Sequence, residues 1–159
     1  MVSGLSTKTS EQKHGFLQFS QKLDYGLFLL IELARKQEAA SGFDADPLSL
    51  RTFAEENGMS FFFMQKVAFE LRKAGLIGAD RGKNGGYLLA RPAGEFALKE
   101  IIEVLEGPLS VMHCMVPPLA VANSNCSRQP KCQMRHGLTA VNQAIVDIFT
   151  QTTLNHLLN

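Results

Sequence analysis

No stretch of this chain stays apolar for the roughly twenty residues that a bilayer-spanning helix needs. Residues 1–14 contain no apolar core of the kind an export signal carries. Together these absences predict a cytoplasmic protein with no membrane partner. Cysteine is scarce and odd in number, three in all, so reduced thiols are expected rather than a disulfide framework. There is no Cys-x-x-Cys pair, and no nucleophile with a base beside it is legible near any cysteine, which argues against a thiol redox enzyme and against a small-molecule substrate. Bulk charge is also nearly missing, at a formal net of +1. A protein that coats nucleic acid through composition alone is thereby excluded.

What is present begins with enough chain, 159 residues at 45% hydrophobic, for one sizeable core with an appended element. Charge is unevenly spread. Residues 60–92 hold six bases (Lys66, Arg72, Lys73, Arg81, Lys83, Arg91) against Glu70 and Asp80, a local +4. Residues 93–113 hold Lys99 against Glu95, Glu100, Glu103 and Glu106, a local −3. A basic stretch in a neutral protein suits a footprint for phosphate. A solvated basic face is the alternative that charge alone leaves open.

Residues 1–18, polar and rich in Ser, Thr and Lys, are expected to be a disordered tail. Residues 19–36 read as a helix whose apolar face is Leu23, Leu27, Leu30, Ile31 and Ala34. A breaker-rich loop follows. Ser49 then caps a short helix over 50–57 that Asn57-Gly58 ends, and Ser60 caps a second helix that runs to Gly75. In that second helix Phe63, Val67 and Leu71, with Met64, face the core. Two helices joined by so tight a glycine-containing turn signal a helix-turn-helix. Residues 77–89 read as strand, tight turn and strand, with Asn84-Gly85 as the two-residue turn. Helix followed by basic hairpin is the order of a winged helix.

Beyond the hairpin, residues 96–105 form a helix with Leu98, Ile101, Ile102 and Leu105 inward, and Gly107-Pro108 stops it. A long irregular segment follows, of the kind that is usually functional or disordered. From Gln133 to the end one long helix is expected. Leu138, Val141, Ile145, Ile148 and Thr152 alternate steps of three and four, an a/d seam with nothing left in the chain to cover it. A second copy of the chain is the economical partner. The fold class is thus mainly α with a small β-wing: a winged helix-turn-helix plus a long C-terminal dimerisation helix. The expected divisions are a tail at 1–18, a DNA-binding domain at 19–106, a cysteine loop at 107–132 and a dimerisation helix at 133–159.

Cys114, Cys126 and Cys132 all fall within nineteen residues, flanked by His113 and His136. Thiolates in one loop suit an iron–sulfur cluster or zinc. No acid lies between Cys114 and Val146, while Arg128, Lys131 and Arg135 do, a balance that favours thiolate over thiol. Three free thiols are the alternative. The spacing lacks the close pairs usual for structural zinc.

From about residue 21 to 158 the chain resembles the IscR/NsrR-type bacterial transcription regulators, the BadM-like winged-helix family. The resemblance rests on Leu23-Asp24-Tyr25-Gly26-Leu27, on residues 50–60 (LRTFAEENGMS), on Leu71-Arg72-Lys73-Ala74-Gly75-Leu76, and on the wing Arg81-Gly82-Lys83-Asn84-Gly85-Gly86-Tyr87. Three cysteines ahead of a long C-terminal helix complete it. It implies a homodimer on a palindromic site in double-stranded DNA, and, in sensor members, a 2Fe–2S or 4Fe–4S cluster whose state switches affinity. By position Cys114, Cys126 and Cys132 correspond to the three cluster ligands. The first gap, eleven residues, is longer than the family's usual one. Members with a 2Fe–2S cluster carry a histidine where this chain has Arg135; His136 follows, about 100° further round a helix. Nitric-oxide-sensing members use an aspartate from the first helix of the other subunit, and Asp24 matches it. Asp24 and His136 are therefore rival fourth ligands. A cluster-free regulator, working through thiol oxidation or a protein partner, is the other reading.

A recognition helix enters the major groove N-terminus first. Ser60, Phe62, Gln65 and Lys66 are expected on its exposed face, with Gln65 suited to adenine, Lys66 to guanine or phosphate and Phe62 to a thymine methyl. Arg81 and Lys83 on the wing would reach the flanking minor groove or phosphates.

Overall fold

The computed structural model describes residues 19–40, 45–80, 85–116 and 132–158. In order the chain forms α1 (Gln21–Ala39), α2 (Leu50–Glu56), α3 (Phe61–Lys73), β1 (Ile77–Asp80), β2 (Gly86–Leu89), α4 (Leu98–Glu106) and α5 (Gln133–Gln151), with short 3-10 turns at Ala93–Glu95, His113–Met115 and Leu154–Leu157. The fold class is as expected: helical, with one two-stranded antiparallel sheet.

Local chemistry accounts for the helix ends. The Ser20 hydroxyl oxygen accepts the Lys22 and Leu23 N–H groups at 3.1 and 3.3 Å, satisfying donors that the first turn of α1 leaves free. Ser49 and Ser60 cap α2 and α3 in the same way, through the N–H groups of Thr52 and Phe63. Gly58 sits at φ +64° in the turn between α2 and α3, and Gly75 at φ +77° ends α3. There the Leu76 N–H reaches back to the Leu71 carbonyl at 2.9 Å, the bond of a Schellman motif.

α1 is the spine. It touches α3, α4 and β2, so burial wraps further round it than one amphipathic stripe. Leu29 and Leu33 are buried with Leu23, Leu30 and Ala34, while Leu27 and Ile31 are only half-buried. Gly26 lets α1 and α4 approach closely: a Cβ there would overlap Leu105 Cδ1 and stand 3.5 Å from Val67 Cγ1. In α3 the buried residues are Met64, Val67, Ala68 and Leu71, with Phe63 half-buried against Tyr25 at 5.5 Å between ring centroids. In α4 they are the expected Leu98, Ile101, Ile102 and Leu105.

Two expectations fail. A two-residue turn at Asn84-Gly85 would set Lys83 opposite Gly86 and Asp80 opposite Leu89. Instead Asp80 pairs with Gly86 and Ile77 with Leu89, leaving five residues, 81–85, to connect the strands. Tertiary contacts set this register. Ile77 and Leu89 are buried, and a one-residue slip would turn both outward. On its other side Tyr87 exchanges two 2.9 Å backbone bonds with Leu48, and Gly86 lies so close to the Leu48 carbonyl that a Cβ would collide with it.

The second failure is the C-terminal helix, which does not run to the end. α5 stops at Gln151, and the chain turns back into the body. The Leu98 N–H donates to the Thr152 carbonyl and the Leu154 N–H to the Phe96 carbonyl, both at 2.8 Å, and Leu154 is fully buried. Phe96, Leu23, Met64, Leu71, Ile101 and Leu105 share that core. A helical Leu154 would extend α5 and leave the Phe96 end of the core without its plug.

Candidate nucleic-acid interface and cysteine segment

The caps and turns above leave one face of α3 open. Ser60, Phe62, Gln65 and Lys66 are all exposed, Phe62 to 78%. Phe69, two turns further on and 65% exposed, continues the same stripe, since residues three and four apart share a helix face. Phe61, by contrast, turns toward α2, where the Arg51 guanidinium lies 4.3 Å over its ring. Lys66 makes no ion pair among the described residues, whereas Glu70 is held by Lys22 at 3.2 Å. A free cation with an amide and an aromatic ring beside it therefore occupies the start of α3. Arg81 and Lys83 lie outside the described residues.

Arg91 counts toward the basic stretch but is not free. Its guanidinium lies 4.3 Å over the Phe96 ring and pairs with Glu100. Its Nε is buried without a hydrogen-bond partner among the described residues. Arg91 thus ties the end of the wing to the start of α4. Sequence reasoning missed this, because nothing local marks a ring five residues on as its seat.

The cysteines divide. Cys114 is half-buried in the His113–Met115 turn, and Cys132 is half-buried at the N-cap of α5. Cys126 lies outside the described residues. Asp24 is exposed in the first turn of α1, and His136 is exposed in the first turn of α5. Among the described residues no three His, Cys, Asp or Glu side chains come together as a metal site. What does tie this region together is Asn142 of α5. Its Oδ1 accepts the Val111 N–H at 2.8 Å and stands 3.2 Å from the Ser110 hydroxyl, so the approach to Cys114 is pinned to the helix that Cys132 begins. Asn142 sits one residue past Val141 of the apolar seam, the only sequence signal it offered. α5 itself has no buried residue, and Val141 and Ile148 are 46% and 61% exposed.

A short helix, a glycine turn, a second helix with an open polar–aromatic face and a two-stranded wing define a winged-helix transcription regulator. The chain belongs to the Rrf2 family, described as iron-dependent transcriptional regulators, whose model matches residues 19–159. It is 30% identical over 141 residues to the HTH-type transcriptional regulator CymR of Bacillus subtilis, covering 89% of each chain. The solved structure of that protein, named the global cysteine regulator of B. subtilis, superposes with a TM-score of 0.65 over 89% of this chain and 96% of the other. IscR of T. potens superposes at 0.64 with 27% identity, covering 89% of this chain and 86% of its own. The oxidized form of Staphylococcus aureus CymR superposes at 0.63 with 31% identity, covering 90% and 97%. These relatives are transcriptional regulators, a class that is not enzymatic. No helix among the described residues is long and apolar enough to cross a membrane.

Proposed function

We propose that this chain acts as a homodimer on a palindromic promoter site, with α3 in the major groove and the cysteine segment as its switch. The observation that carries the DNA reading is the open start of α3, where Ser60, Phe62, Gln65 and Lys66 face out together. Gln65 suits adenine N6 and N7, and Lys66 suits guanine or phosphate. Arg81 and Lys83 add phosphate or minor-groove contacts from the wing. The uncovered apolar seam of α5 supports pairing with a second copy. In this division residues 19–106 bind DNA, 107–132 sense and 133–159 pair, with Leu154 returned to the DNA-binding body.

The resident group on this reading is an iron–sulfur cluster held by Cys114, Cys126 and Cys132, with Asp24 of a second copy or His136 as fourth ligand. Two of these thiols are half-buried, and the segment from Cys114 to Val146 has no acid to oppose thiolate, a donor set that fits soft-metal chemistry. A bound cluster would supply a ligand-exchange and redox response to oxidant, nitric oxide or iron supply. The chain's own part is mechanical. Asn142 holds residues 110–111 to α5, and the backbone bonds of Thr152 and Leu154 hold the far end of α5 to residues 96–98. A rotation of α5 is therefore delivered to the base of α4 and, through Arg91, to the wing. Half-sites about 34 Å apart punish small changes in the spacing of two α3 helices.

Anaerobic purification with visible absorption, iron, sulfide and zinc contents tests this, read beside promoter binding of the loaded and stripped chain. Colourless protein without iron and sulfide after reconstitution would sink the cluster. A second reading then stands: a cluster-free regulator working by thiol oxidation or a protein partner. It is favoured by two half-buried free thiols and by a relative that crystallised in an oxidized form.

A further inference from the structure

Phe62 and Phe69 are the two most exposed large apolar side chains among the described residues, and they wall a shallow trough with Gln65, Lys66 and Glu70 along α3. A ring left in water forgoes the gain of burial. Phe62 lies at the end of α3 that leads into the groove, and it is not spare core: Phe61, its neighbour at 6.1 Å, is the ring committed to α2 through Arg51. Phe62 carries no donor and no acceptor, so base edges that present hydrogen-bonding groups offer it nothing. The major groove presents one apolar group, the C5-methyl of thymine. Cytosine methylated at C5 puts the same methyl at the same place on the ring.

Resting on the DNA-binding reading above, we propose that Phe62 makes this chain a reader of pyrimidine C5-methyl groups, responding to 5-methylcytosine in its half-site as it does to thymine. Gln65 and Lys66 supply hydrogen-bond readout beside it, and Phe62 supplies a methyl readout that discriminates unmethylated from methylated cytosine.

The full chain, handled anaerobically, is used to enrich duplexes from a random library, and each thymine of the selected site is replaced in turn by deoxyuridine, which removes only the methyl. At one position per half-site the replacement weakens binding about fourfold, the worth of one buried methyl, and Phe62→Ala, weaker overall, is indifferent to it. With cytosine at that position, 5-methylcytosine binds more tightly than cytosine by a similar factor in the unaltered chain and not in Phe62→Ala. Sites indifferent to deoxyuridine, or a methyl response that survives Phe62→Ala, overturn the proposal and leave DNA binding standing. Phe62→Ala that binds the selected site as tightly as the unaltered chain also overturns it, assigning the ring to a protein partner. A chain that enriches no sequence sinks the DNA-binding reading together with this one.

Discussion

Leu154→Ala tests the least expected feature of the fold. Leu154 is 0% exposed, its N–H is bonded to the Phe96 carbonyl, and it sits in the same core as Leu23, Met64 and Ile101. Truncation removes three carbons, about 2.4 kcal/mol of transfer free energy at ~0.8 per methylene. The cavity left beside a tied backbone adds to that, for a total near 3 kcal/mol. For a chain of this size each kcal/mol moves Tm by about 2–4 °C, so the variant melts about 6–12 °C lower. Circular dichroism melts at one fixed protein concentration, with urea unfolding beside them, read the change. The control is Asn155→Ala, next door and exposed, which stays within about 0.5 kcal/mol. A Leu154→Ala chain that melts within about 2 °C of the unaltered one would refute the buried return and restore the picture of a helix running to the end.

Gly26→Ala drives a methyl into Leu105 where α1 crosses α4 and costs about 1–3 kcal/mol of unfolding free energy by overpacking, measured in urea; a neutral result would mean the helices have room to part. Lys66→Ala and Arg81→Ala each weaken promoter binding and lower the slope of log affinity against log salt by about 0.9 for each phosphate no longer neutralised; an unchanged slope counts against a phosphate role for that side chain. Ile148→Glu, at an exposed seam position of α5, leaves helical circular dichroism intact and shifts the chain to monomer in sedimentation equilibrium; persistent dimers would place the pairing surface elsewhere.

The recognition half was legible in the sequence because its signals are local. Ser49, Ser60, Gly58 and Gly75 act on backbone groups within a few residues of themselves, and each does in the structure what its type and position announce. The inward face of α4 was legible for a related reason: the helix buries a single stripe, so its 3.6-residue period matches its burial. α1 was less legible, because it is covered on several sides and has no single stripe to find.

What the sequence by itself determined, then, is the helix-turn-helix with its capped ends, the exposure of Phe62, Gln65 and Lys66, and a free apolar seam on α5. These follow from interactions that span a turn or two of chain, and residue type decides them. Tertiary structure alone decided the rest. The wing's register is held by Leu48, some forty positions from its partner Tyr87 in sequence. Arg91 is taken out of the basic stretch by Phe96 and Glu100. α5 ends where Phe96 and Leu98 accept and donate backbone bonds to the returning chain. In the wing and at the end of α5 a strong local preference, a turn dipeptide or a helical period, was outweighed by burial and backbone pairing with partners distant in sequence, whereas the surface charge of Arg91 was drawn into a ring contact and an ion pair five and nine residues on.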